Sequence, residues 1–316
     1  SGASANGLSR YSSRILELLA EGALNPLFTQ ADFDAERAKL IEGLKSDEKS
    51  ASAIAARVQN VLTYGKEHYN GEFTSEETLK NVTLQDVINH YNTYFVPSNA
   101  YLVVIGDVKT ADVKKKVEEL FGADVWKKAT ATNLTYNDPK DLQYSQINFV
   151  DVPNAVQSEI ALINLSKLKM NDKDYFAAIL ANQILGGGGE GRLFLNLREK
   201  HGWTYGSYSN LGASKYISKF SSTASVRNAV TDSAVVEIFN ELKRIRTDLV
   251  SAEDLKNAKA KYIGNFVMQI EKPATIARYA LNIKTLGLPE DFYENYVKNI
   301  NAVTPEEIRN AANKYF

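Results

Sequence analysis

One stretch of this chain recurs. Lys80–Phe95 (KNVTLQDVINHYNTYF) lies over Asn301–Phe316 (NAVTPEEIRNAANKYF) at an offset of 221 residues without a gap, and Val82/Val303, Thr83/Thr304, Asn89/Asn310, Asn92/Asn313, Tyr94/Tyr315 and Phe95/Phe316 are identical. The helix-start signal recurs with the letters. Thr83 with Asp86, and Thr304 with Pro305 and Glu307, place a hydroxyl and an acid where the first orphan amides of a helix need acceptors. A second stretch agrees at nearly the same offset: Thr29 with Ser251, Asp32 with Asp254, Ala38-Lys39 with Ala260-Lys261, and Ile54-Ala55 with Ile276-Ala277. Ordered matches at one spacing point to duplication, so the chain is expected to fold as two like modules.

The spacing also sets expected boundaries. Residues 1–140 read as the latter part of a first copy whose sheet is partly missing, and 141–316 as a second copy lacking its last strand. Hydrophobic periodicity and caps predict helices near 9–22, 30–47, 49–64, 84–95, 110–121, 172–185, 190–200, 229–247, 251–270, 273–285, 289–298 and 304–315. Strands are expected at 100–106, 145–151, 157–166, 203–212 and 216–226, with a polar linker over 133–140. Strands and helices are partly segregated. An α+β fold follows, with helices on one face of a mixed, largely antiparallel sheet.

Bulk chemistry removes several classes. Basic residues number 37 and acidic ones 38, so no long-range field recruits nucleic acid or anionic lipid. The absence of cysteine excludes disulfides, thiolate zinc sites and a cysteine nucleophile. It leaves the compartment open between bacterial periplasm and cytosol. No apolar run approaches the roughly 20 residues that span a bilayer, and a soluble chain is expected. Lys114–Lys116 share a helix with Glu118 and Glu119, which is the pattern of a solvated face.

Gly186-Gly187-Gly188-Gly189-Glu190-Gly191 formally contains G-x-G-x-x-G. It follows a helix-like run where a dinucleotide site needs a strand, and Glu190 stands where a phosphate loop would want lysine. A glycine-capped connection between helices remains. The segment after it, Leu193–Tyr208 (LFLNLREKHGWTYGSY), resembles the pitrilysin/insulinase peptidases, whose zinc-free half carries a pattern like L-G-G-G…S-R-L-F-x-x-L-R-E-K-x-G-x-x-Y. The ordered features Asn25-Pro26-x-Phe28, Glu36-Arg37 and Gly106-Asp107 extend the likeness along the chain. The resemblance implies two homologous α/β domains closing like a clamshell against a zinc-bearing half, fused or separate, to enclose a peptide substrate. It further implies that Arg198 and Tyr205 serve the catalytic step, and that Gly186, Gly187, Gly188 and Gly189 handle substrate.

A guanidinium and a phenol suit a peptide carbonyl, or the oxyanion formed from it, whatever the family. The turn between Arg198 and Tyr205 would aim both donors at one spot. The bland alternative pairs Arg198 with Glu199 or Glu190 and leaves Tyr205 a half-buried strand residue. No metal is expected on this chain. The resembling family's catalytic half holds zinc through H-x-x-E-H and a distant glutamate, whereas His68, His90 and His201 stand apart, and the seventh residue after Glu36 is Gly43. Glu42, one residue early, would be turned about 100° away on a helix. Zinc is therefore expected in the partner half, and this chain alone is expected to be inactive. The alternative reading is a non-enzymatic scaffold or assembly module of the same fold.

Overall fold

The computed structural model describes residues 2–127, 137–140 and 142–316. Asn133–Tyr136, the start of the expected linker, lie outside the described residues. The chain forms two compact units.

The first unit comprises Ser1–Ser46, Thr74–Tyr136 and Lys272–Leu281. It holds α1 (Ser12–Leu24), most of α2 (Gln30–Asp47), α4 (Glu76–Asn81), α5 (Leu84–Tyr94) and α6 (Thr110–Phe121). Aromatic rings knit it together. The Tyr91 hydroxyl donates to the Ala23 carbonyl at 2.6 Å, Phe28 meets the Tyr91 ring edge-on at 5.4 Å, and Phe95 stacks between Tyr91 and Trp126. Such pairs contribute roughly 0.5–1.5 kcal/mol beyond their buried area. The strand expected at 100–106 does not form. Tyr101, Leu102, Val104 and Ile105 run unpaired and exposed, because no strand among this unit's described residues offers them a ladder.

The second unit comprises Asp47–Phe73, Asn137–Glu271 and Asn282–Phe316. Its sheet has the order β1-β3-β2, built from β1 (Gln157–Ser166), β2 (Thr204–Leu211) and β3 (Ser218–Arg227). Both pairings are antiparallel, so the parallel component of the expected mixed sheet is absent among the described residues. The strand expected at 145–151 is also absent, with Tyr144, Ile147 and Phe149 exposed. One face, carrying Ile160, Phe220, Ala224 and Val226, is buried in the main core. Against that core lies α7 (Tyr175–Gly186), with nine of its 12 residues buried. A helix apolar all round belongs at the centre of its unit.

Around it pack α9 (Thr231–Thr247), α10 (Ala252–Ile270), α12 (Tyr296–Ala302) and α13 (Pro305–Tyr315). Helix α3 (Ala51–Tyr64) packs on β1, and α11 (Pro273–Leu286) is divided, Pro273–Leu281 belonging to the first unit and the rest to the second. Helix α12 begins later than expected, since 289–295 form turns around the buried Phe292, which stacks on Phe176 at 5.6 Å. The repeated caps both form as full boxes, Thr83 with Asp86 and Thr304 with Glu307.

Asp174, just before α7, ties that helix to α13 by accepting from Lys314 at 2.8 Å and from the Tyr315 hydroxyl at 2.9 Å. Partial burial raises the Asp174 carboxyl, but these two donors outweigh it and hold the group below the usual carboxylate range. A depressed acid contributes stability above its unfolded pKa and loses it as pH falls through the folded value. Asp174→Asn is therefore expected to lower stability by about 1 kcal/mol at neutral pH, the exposed lysine discounted. The difference should vanish in urea titrations run below the folded pKa, and an unchanged difference there would place the effect elsewhere.

Candidate functional site

Gly191 precedes a helical run that starts as α8 (Arg192–Phe194) and widens into a π-helical turn, Leu195–Lys200. The wide turn is closed by the His201 amide donating to the Asn196 carbonyl at 3.2 Å. Leu193 and Leu197 are fully buried and fix the inner face, which leaves Arg198 outside with 45% of its side chain exposed. Its guanidinium lies 4.7 Å from the Phe194 ring centre, and Nε stands 3.5 Å from Glu199. The cation–π contact orients the group without neutralising it. The Glu199 contact of the bland reading is thus present, as a surface ion pair worth little.

Tyr205 follows on β2 and is 87% exposed. Strict alternation would give it the face of the buried Ser207 and Ser209. A bulge prevents this: Thr204 pairs with Val226 and Ser207 with Ala224, so β2 carries an extra residue. Bulges re-aim side chains, and this one turns the phenol to solvent. Thr204 pins it, its hydroxyl lying 2.7 Å from the Ser225 carbonyl and 2.9 Å from the Gly206 carbonyl while accepting from the Gly206 amide at 3.1 Å.

The glycines divide by role. Gly186 closes α7 against β2, where a Cβ would stand 2.4 Å from the Ser209 backbone nitrogen. Gly188 adopts φ +146°, a region L side chains rarely enter. Gly189 alone of the four is exposed, and ordinary contact separates it from Phe194. Phe194 therefore joins the site. It lies where a Cβ added at Gly189 would meet it at 3.7 Å, carries the Arg198 guanidinium and meets Tyr208 at 5.9 Å, while the Tyr208 ring lies close to Gly206. Sequence reasoning passed over Phe194 and Tyr208. The signal available was their aromatic character at four and three residues from the predicted pair.

The histidines do not suit a metal. His68 is buried and stacked on Tyr64, and its Nδ1 accepts from the Asn70 amide. His90 leans on Tyr94, and His201 stacks on Trp203 at 4.0 Å with Nε2 buried. Among the described residues no three of His, Cys, Asp and Glu are grouped to hold an ion. Nor is any described helix long and apolar enough to cross a membrane.

The described residues thus form a helix-rich α+β fold with a small antiparallel sheet, with Arg198 and Tyr205 exposed on consecutive elements. The sequence signature of the peptidase M16 inactive domain matches residues 81–262, and the chain belongs to that family. It is 22% identical over 314 residues to the "uncharacterized zinc protease YmxG" of Bacillus subtilis, covering 98% of this chain and 74% of that protein. It is 20% identical over 302 residues to the "non-peptidase homolog YmxG" of Helicobacter pylori, covering 95% and 69%. The crystal structure of a peptidase M16 inactive domain from Pseudomonas fluorescens superimposes with a TM-score of 0.86 at 21% identity, over 98% of this chain and 73% of that one. At that identity the superposition establishes the fold.

Proposed function

We propose that this chain is the non-catalytic, substrate-binding half of an M16-type zinc metalloendopeptidase. The carrying observation is the presence, on consecutive elements, of an exposed cation held over an aromatic ring and an exposed phenol turned outward by a bulge. Both are donors that a peptide carbonyl can accept, and their bonds strengthen as its oxygen gains charge. Gly188 and Gly189 leave the adjoining loop free of side chains, which suits close approach by an extended backbone. Zinc belongs to the partner half in this reading, since the donors here do not suit it. Residues 1–140 and 141–316 are taken as two copies of one module.

The test is an assay of the chain alone, and of the chain mixed with an H-x-x-E-H-bearing half, on a quenched peptide. Cleavage is expected only from the mixture. Proteolysis by the isolated chain in chelator would discard this division of labour. A mixture that neither cleaves nor binds peptide would favour the scaffold.

A further inference from the structure

Tyr208 follows the bulge in β2 and pairs with Thr223, so alternation turns it away from the buried Ser207 and Ser209. It is 45% exposed, yet its ring is held on two sides. A Cβ added at Gly206 would stand 2.6 Å from both Cε2 and Oη and 2.8 Å from Cζ, so the phenol lies back along the strand over a bare Cα. Phe194 flanks it at 5.9 Å with the ring planes tilted by 39°. Phe194 is itself nine-tenths buried, and the Arg198 guanidinium lies 4.7 Å from its ring centre. One fixed ring thus has both the guanidinium and the Tyr208 phenol as neighbours. Among the described residues no hydrogen bond engages the Tyr208 hydroxyl. Tyr205, by contrast, is 87% exposed, and no ring contact or hydrogen bond among the described residues fixes it.

We infer that Tyr208 is a second substrate-binding phenol: its hydroxyl, held in place before peptide arrives, donates to a backbone carbonyl of the same extended peptide that Arg198 engages. This role deepens the proposed function and rests on it. Two groups centred 4.7 and 5.9 Å from one ring centre can serve one extended chain, whose same-facing carbonyls recur about every 7 Å. A donor that is already fixed loses little conformational freedom on binding, whereas a freely rotating side chain gives up part of its hydrogen bond to ordering. The open hydroxyl matters equally, since a phenol engaged within the fold would only exchange one partner for another. Gly206 is what the arrangement requires. A Cβ there displaces the ring, and the atoms it meets are the far end of a rotatable side chain, so the strand need not move.

Binding of fluorescein-labelled casein, followed by fluorescence anisotropy, tests this role. Tyr208→Phe keeps the ring and removes the donor, so it should weaken binding about three- to fivefold with the urea midpoint unchanged. Gly206→Ala keeps the hydroxyl and displaces it, and should weaken binding by a similar factor. The double variant should bind within about 1.5-fold of Tyr208→Phe alone, because a displaced ring has no contact left to lose. Binding by Tyr208→Phe within about 1.5-fold of the parent overturns the inference, as do losses that multiply in the double variant. A loss in Tyr208→Phe with none in Gly206→Ala overturns the fixed placement of the hydroxyl. If Tyr208→Phe binds normally while Arg198→Ala binds weakly, the peptide reading stands and the role of Tyr208 falls. A parent chain that captures no casein removes the peptide reading, and this role with it.

Discussion

Gly186→Ala should destabilise the sheet-bearing unit by about 2–3 kcal/mol, a large effect for one methyl group. Helix propensity pushes the other way, since alanine within a helix is favoured over glycine by roughly 1 kcal/mol. Sterics decide the sign. The new Cβ would sit 2.4 Å from the Ser209 nitrogen and 2.8 Å from both Ser209 Oγ and Leu193 Cδ1. Leu193 is fully buried, and Ser209 is paired with Ser222 in the sheet, so neither can retreat without moving β2 or emptying core. The Asn182 side chain, whose amide reaches the Ser209 carbonyl, would be displaced too. Gly189→Ala is the control, because its nearest neighbour is 3.7 Å away and it should be neutral within about 0.5 kcal/mol. Urea midpoints followed by circular dichroism compare the two. Equal midpoints would mean that the α7 to β2 approach does not limit stability.

The contrast between these two glycines also marks where sequence reading stops. Four glycines in a row say that backbone comes close to something, and the fold says to what. Elements governed by local chemistry were legible: α2 and α6 have the expected bounds, β1 runs over 157–166 as expected, and the repeated Thr boxes cap α5 and α13. Strands at 100–106 and 145–151 had strand composition but needed a distant partner, which composition does not specify. Helix α4 was missed because its capping box closes with Thr78, where the usual signal is Glu or Gln. At the site, the residue types of Arg198 and Tyr205 were readable while their presentation was not. LNLREK reads as ordinary helix, yet it winds wide over Leu195–Lys200. The TYGSYS alternation conceals a bulge, for which Gly206 was the one local hint.

Arg198→Ala should lower turnover of the chain paired with the zinc-bearing half proposed for it at least about tenfold, with the fold intact. A charge-assisted hydrogen bond to a carbonyl is worth about 1.5–3 kcal/mol, and each 1.4 kcal/mol is a factor of ten. Little structural energy is at stake, because the side chain is 45% exposed and its contacts are one ring face and a surface ion pair. Thermal midpoints should therefore move by no more than about 2 °C. Tyr205→Phe keeps the ring and removes the donor, so its loss should be smaller, about three- to tenfold, in line with a neutral hydrogen bond. Glu199→Gln offers a check of sign: it releases the guanidinium from its 3.5 Å partner, and turnover should hold or rise. If the reaction depends on guanidinium charge meeting developing oxyanion charge, the Arg198→Ala loss belongs in kcat as well as kcat/KM. A change under about twofold in both constants would leave Arg198 as a surface cation resting on Phe194.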